Sequence, residues 1–78
     1  NEWEQNIIDN AVEYSIMEWR PLDRSTKTIV KTYEEAKDLY AETSKNHKAT
    51  LAYAINKDGR YANMNHLNDF RPERDKNE

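Results

Sequence analysis

The chain contains a single glycine, and its surroundings dictate a hairpin. Gly59 ends the run Asn56-Lys57-Asp58-Gly59. Before it, residues 49–56 alternate Ala49, Leu51, Tyr53 and Ile55 against Thr50, Ala52 and Ala54. Alternation of period two is the signature of a strand. The run then reads as a type I turn whose glycine takes a positive φ as a G1 bulge, and residues 60–67 become the return strand. In that register Ile55 faces Tyr61, Tyr53 faces Asn63 and Leu51 faces Asn65. On the opposite face Ala54 meets Ala62, Ala52 meets Met64 and Thr50 meets His66. Either face can be the buried one. The alanine face lets a helix approach closely, whereas the Tyr and Leu face has more apolar area to bury.

A helix is predicted over residues 33–45. Thr32 followed by Glu35 matches a capping box, in which the Thr32 hydroxyl accepts from the Glu35 amide and the Glu35 carboxylate reaches back to the Thr32 amide. Glu34 and Glu35 lie in the first turn, where the helix dipole favours anions. Ala36, Leu39, Tyr40 and Thr43 share one face, a narrow one suited to packing on a sheet. Asn46 is the expected stop.

Upstream of Thr32, residues 13–20 are rich in Tyr, Ile, Met and Trp, with Val12, Tyr14 and Ile16 alternating. Pro21 ends that strand, Asp23-Arg24-Ser25-Thr26 is a turn cluster, and residues 27–31 return through Ile29 and Val30. In the first dozen residues Trp3, Ile7 and Ala11, with Ile8 and Val12, fall at helical spacing. The expected fold is therefore α+β. It has a four-stranded, mostly antiparallel sheet in ββαββ order, one main helix and a short N-terminal helix. Residues 1–67 form the domain. Residues 68–78 read as a charged, mobile tail in which Phe70 is the one candidate anchor.

A chain of 78 residues with 36% hydrophobic content has little core to spare. Domains of this size bury only about 60% of their unfolded surface and usually need a staple. With no cysteine, disulfides and thiolate metal sites are excluded, which leaves packing or association. Two Trp and five Tyr suit both. The net charge of −3 argues against a general nucleic-acid binder, since such domains usually have a pI above about 9. No apolar run spans a membrane, no export signal opens the sequence given, and cysteine-free composition fits a cytoplasmic protein.

Catalytic signatures are missing. Phosphate loops, dinucleotide fingerprints and nucleophile elbows each need several glycines. Glu34, Glu35, Asp38 and Glu42 line the polar side of the helix, without the burial that separates the pKa values of a catalytic pair. His47 and His66 are the only histidines, and no spacing supplies the further ligand a metal site requires. No enzyme, cofactor or metal is expected.

Binding is the remaining class. Trp, Tyr, Met and Arg are the residues that interfaces concentrate. Trp3, Tyr14, Met17, Trp19 and Arg20 cluster in the first twenty positions, and Tyr53 and Tyr61 sit on the second hairpin. These are the candidate partner-binding residues. The leading expectation is a non-enzymatic protein-binding module, with sheet edges that also invite pairing of two copies into a homodimer. The alternative is a single-stranded nucleic-acid binder. Basic residues gather beside the hairpins (Arg20, Arg24, Lys27, Lys31; Lys45, Lys48, Lys57, Arg60), and Trp19, Tyr53 and Tyr61 could stack bases.

The stretch Thr28-Ile29-Val30-Lys31-Thr32-Tyr33-Glu34-Glu35-Ala36-Lys37-Asp38-Leu39-Tyr40, followed by Tyr53-Ala54-Ile55-Asn56-Lys57-Asp58-Gly59-Arg60-Tyr61, resembles the small accessory proteins encoded by bacteriophages. Many of those run strand, T-x-E-E-A helix, hairpin. The resemblance covers residues 13–67 and implies a short cytoplasmic protein, made during infection, that inhibits or modulates a host protein. That group shares no common site, so the resemblance assigns no residue a role.

Overall fold

The computed structural model describes residues 2–22, 24–46 and 49–72. The elements in order are α1 (Glu2–Asp9), β1 (Ala11–Glu18), β2 (Thr26–Val30), α2 (Tyr33–Asn46), β3 (Thr50–Asn56) and β4 (Tyr61–Asn63). The fold is α+β, with one antiparallel sheet in the order β2-β1-β3-β4. β2 and β3 both run antiparallel to β1, so α2 connects two parallel strands across the central one.

Local chemistry explains where most elements begin. At the N-terminus of α2 the Glu35 amide donates to Thr32 Oγ1 at 3.1 Å. The second half of the box differs from the expected form: the Thr32 hydroxyl itself donates to the Glu35 carboxylate at 3.0 Å. In the β3–β4 turn Gly59 takes φ 81°, with empty space where its Cβ would lie. Glycine is favoured there by backbone conformation rather than by crowding. Asn56 Oδ1 locks the same turn by accepting from the Asp58 and Arg60 amides, both at 3.0 Å. The predicted β3–β4 register is the observed one, with Tyr53 opposite Asn63, Ala54 opposite Ala62 and Ile55 opposite Tyr61.

Two strands differ from the expected bounds by more than one residue. β1 spans Ala11–Glu18 rather than 13–20. Beyond it the Arg20 amide donates to Ser25 Oγ, and the Ser25 hydroxyl donates to the Arg20 carbonyl, so side-chain bonding closes the hairpin. A bulge between Ala11 and Glu13 also breaks the expected Val12–Tyr14–Ile16 alternation, leaving Val12 exposed while Tyr14 and Ile16 are buried. β4 stops at Asn63 instead of running to Leu67. The Met64 amide still donates to the Ala52 carbonyl at 2.8 Å, but the next rung is made by a side chain. Asn65 Oδ1 accepts from the Ala52 amide at 2.9 Å, and its Nδ2 donates to the Thr50 carbonyl at 2.8 Å. One carboxamide thus serves β3 as a departing strand's backbone would, and the chain is free to turn away.

The alanine face is the core. Ala52, Ala54, Ala62 and Ala36 are buried, as are Tyr14, Ile16, Tyr40 and Met64. α2 packs against β1 and β3, and α1 against β3 and β4. Ile8 of α1 packs on the cluster that holds Ala36 and Tyr40 of α2, so both helices cover the same face. Phe70, placed beyond the expected boundary at residue 67, is fully buried. Its ring centroid lies 5.0 Å from that of Tyr40 and 5.7 Å from that of Tyr33. The turn bonds Phe70 N–H to Leu67 C=O and Arg71 N–H to Leu67 C=O hold it there. Residues 68–70 are therefore part of the packed unit.

Candidate protein-binding face

With both helices on one side, no described element covers the other side of the sheet. Alternation assigns its residues from the pairing. β1 presents Glu13, Ser15 and Met17, β2 presents Lys27 and Ile29, β3 presents Leu51, Tyr53 and Ile55, and β4 presents Tyr61 and Asn63. The Trp19 amide donates to the Ala49 carbonyl at 3.0 Å. That bond continues the β1–β3 ladder and puts Trp19 in line with Met17 and Leu51.

The face is apolar and aromatic at its centre and charged at one edge. Tyr53 and Tyr61 meet edge to face, with ring centroids 5.5 Å apart and planes at 87°. Tyr61 is 64% exposed and Ile29 40%. Lys31 reaches Glu13 at 3.7 Å, which neutralises that corner. A concavity of about 260 Å³ opens between Ser15, Met17, Lys27, Tyr53, Ile55 and Tyr61. Ser15 in its lining is 4% exposed, and its Oγ has no hydrogen-bond partner among the described residues. Buried hydroxyls are nearly always paired, so this one sets the face apart from an ordinary solvated surface.

The candidate residues read from sequence fall into three groups. Met17, Tyr53 and Tyr61 come together around the concavity on the open face, while Trp19 lies beyond the end of β1, at the opposite end of the sheet from Tyr61. Tyr14 does not belong with them: it points to the helix side, is buried, and packs edge to face on Tyr33 at 6.2 Å. Its one-residue offset from Ser15 puts it on the core side of the pleat. Trp3 lies on α1, in the helical layer, and is 56% exposed. Arg20 is exposed beside the β1–β2 loop and pairs with Glu18 at 2.7 Å.

The sequence does not single out Ser15, Ile29, Leu51 and Ile55 as site residues, and it points to Lys27 only for the nucleic-acid alternative. The signal for the β3 residues was present, since Leu51, Tyr53 and Ile55 share a face, but which face stays open depends on where the helices dock.

Burial raises the pKa of the Tyr14 hydroxyl above its ordinary value. Tyr33 is raised too, first by burial and then by the negative charges of Asp69 and Glu34. Both belong to the core side. Among the described residues no group of three His, Cys, Asp or Glu side chains could hold a metal. His66 is exposed, and His47 lies outside the described residues. No described helix is long and apolar enough to cross a membrane.

No protein-family model matches this chain, and no curated protein or solved structure is significantly similar to it.

Proposed function

We propose that this protein is a non-enzymatic protein-binding module whose contact surface is the open face of its sheet. The observation that supports this reading is the one-sided packing. Both helices lie on the alanine face, while Met17, Ile29, Leu51, Tyr53, Ile55 and Tyr61 on the other face have no described cover. At ~4.8 Å between strands and ~3.3 Å per residue, the strand residues of such a sheet present roughly 350 Å². Glu13, Ser15, Lys27 and Asn63 take part of that area and the apolar and aromatic side chains the rest; exposed apolar patches of a few hundred Å² (roughly 300–600) are often functional. Each side of a standard interface buries about 800 Å², so a partner extends past the face toward Trp19 and the hairpin ends. The likeness of residues 28–40 and 53–61 to phage accessory proteins adds a role to the proposal: a cytoplasmic inhibitor or modulator of a host protein.

The second reading, single-stranded nucleic acid on the same aromatics, has Tyr53, Tyr61 and Lys27 in its favour. It has less charge to work with, because Lys31 is already held by Glu13. Pull-downs from lysate, with and without nuclease treatment, compare the wild type with Tyr61→Lys. The expected result is a discrete protein held by the wild type and lost in the variant. Recovery of nucleic acid alone, weakening steeply between low and moderate salt, would overturn the proposal in favour of the second reading. Light scattering on the purified chain reports whether the partner is a second copy.

A further inference from the structure

We propose that the concavity above Ser15 is an anchor pocket for one amphipathic aromatic side chain of a partner protein, a flat ring with a hydrogen-bonding tip, as in tyrosine. The proposal rests on the protein-binding reading and deepens it. Three features specify this guest. The walls are mostly apolar and partly aromatic: Met17, Ile55, Tyr53 and Tyr61, with Lys27 as the one charged neighbour, line about 260 Å³. Tyr53 and Tyr61 already stand edge to face at 5.5 Å, which leaves ring faces and edges on which a third ring packs in the same geometry. The Met17 thioether is a soft contact for an aromatic edge. The third feature is Ser15, 4% exposed with its Oγ unpartnered among the described residues. A rotation about χ1 between staggered wells turns that hydroxyl toward a guest, and a serine hydroxyl both donates and accepts.

An aliphatic guest would fill the volume and leave Ser15 Oγ unpaired. A phenol packs against the same walls and supplies the missing hydrogen bond. Interface hot spots favour such residues, seated in central desolvated pockets.

The test uses p-cresol, the side-chain analogue of tyrosine, against toluene, which keeps the ring and lacks the hydroxyl. Binding to the full chain is followed by protein NMR. The expected result is a millimolar Kd for p-cresol, the range open to so small a ligand. Shifts should centre on Ser15, Tyr53 and Tyr61. Toluene should bind up to about tenfold more weakly, the worth of one hydrogen bond, and Ser15→Ala should erase that difference. Equal binding of the two probes, a difference that survives Ser15→Ala, shifts on the helix side, or no binding up to the solubility limit would each overturn the pocket. A pull-down run alongside separates the two claims. A partner retained by the wild type and lost in Tyr61→Lys, in a protein that ignores p-cresol, leaves the face standing without its anchor. Cresol binding with no partner captured does the reverse.

Discussion

Asn65 Nδ2 donates to the Tyr40 hydroxyl at 3.1 Å, and this bond ties the end of the second hairpin to helix α2. The same side chain accepts from the Ala52 amide, donates to the Thr50 carbonyl, and accepts from Asn63 Nδ2 at 2.9 Å. One carboxamide, half-buried, thereby uses its full hydrogen-bonding capacity across β3, β4 and α2. Asn65→Ala leaves the Ala52 amide and the Thr50 carbonyl without these partners. Each unsatisfied group costs about 1–3 kcal/mol when water cannot replace the bond. The expected loss is about 2–4 kcal/mol in urea unfolding, with β4 the first segment to gain amide exchange. A loss below 0.5 kcal/mol would show that water substitutes for the side chain.

Phe70 is held between Tyr33 and Tyr40 with no exposed surface. Phe70→Ala removes a fully buried ring and leaves a cavity, for which about 3–5 kcal/mol is the usual cost. For a 78-residue domain that is a large share of a total stability of about 5–10 kcal/mol. A chain ending after residue 67 should therefore unfold at far lower denaturant than the full chain. Equal midpoints would place Phe70 outside the stabilising core.

Stability should fall on the alkaline side. Tyr14 and Tyr33 both have raised pKa values, chiefly from burial, with Asp69 and Glu34 adding to the shift at Tyr33. The folded state holds these protons more tightly than the unfolded chain, whose tyrosines titrate near 10. Their contribution is complete below that value and is lost as pH rises through the folded pKa values above it. Urea midpoints measured from pH 8 to 11 should be flat at first and then decline. Tyr33→Phe should make the decline shallower.

Ser15→Ala should make the protein more stable, by about 1 kcal/mol, because it deletes a buried hydroxyl that has no partner among the described residues. If the pocket is an anchor, the same change weakens partner binding. Stability gained and binding lost at one residue is the pattern expected where function keeps a locally unfavourable group in place. Thermal unfolding together with an affinity measurement checks both halves.

The features readable in advance were local ones. The Thr32–Glu35 cap, the Asn56–Gly59 turn and the register between β3 and β4 each depend on residues a few positions apart. The buried face was not readable, because Ala52 and Ala54 on one side and Leu51, Tyr53 and Ile55 on the other are all compatible with a core. The choice is made by α1 and α2, distant in sequence. Tyr14 was grouped with Met17 and Trp19 for the same reason: an aromatic cluster in a sequence does not say which side of the pleat each ring takes. The early end of β4 was hidden because a side chain, Asn65, makes the rung that backbone pairing predicts. Phe70 stands in a charged stretch whose composition resembles a tail; the sequence marks it as a candidate anchor, and its contact with Tyr33 and Tyr40 places it in the core.

The central claim is that the open sheet face, and not the helical layer, meets a protein. Site-specific photocrosslinking in the native host tests it most directly. A photoreactive phenylalanine analogue is placed at Tyr61 on the open face, and in a second protein at Asp38 on the exposed side of α2. A single protein adduct is expected from position 61 and none from position 38. An adduct from position 38 with none from 61, or nucleic acid as the only adduct from 61, would contradict that claim.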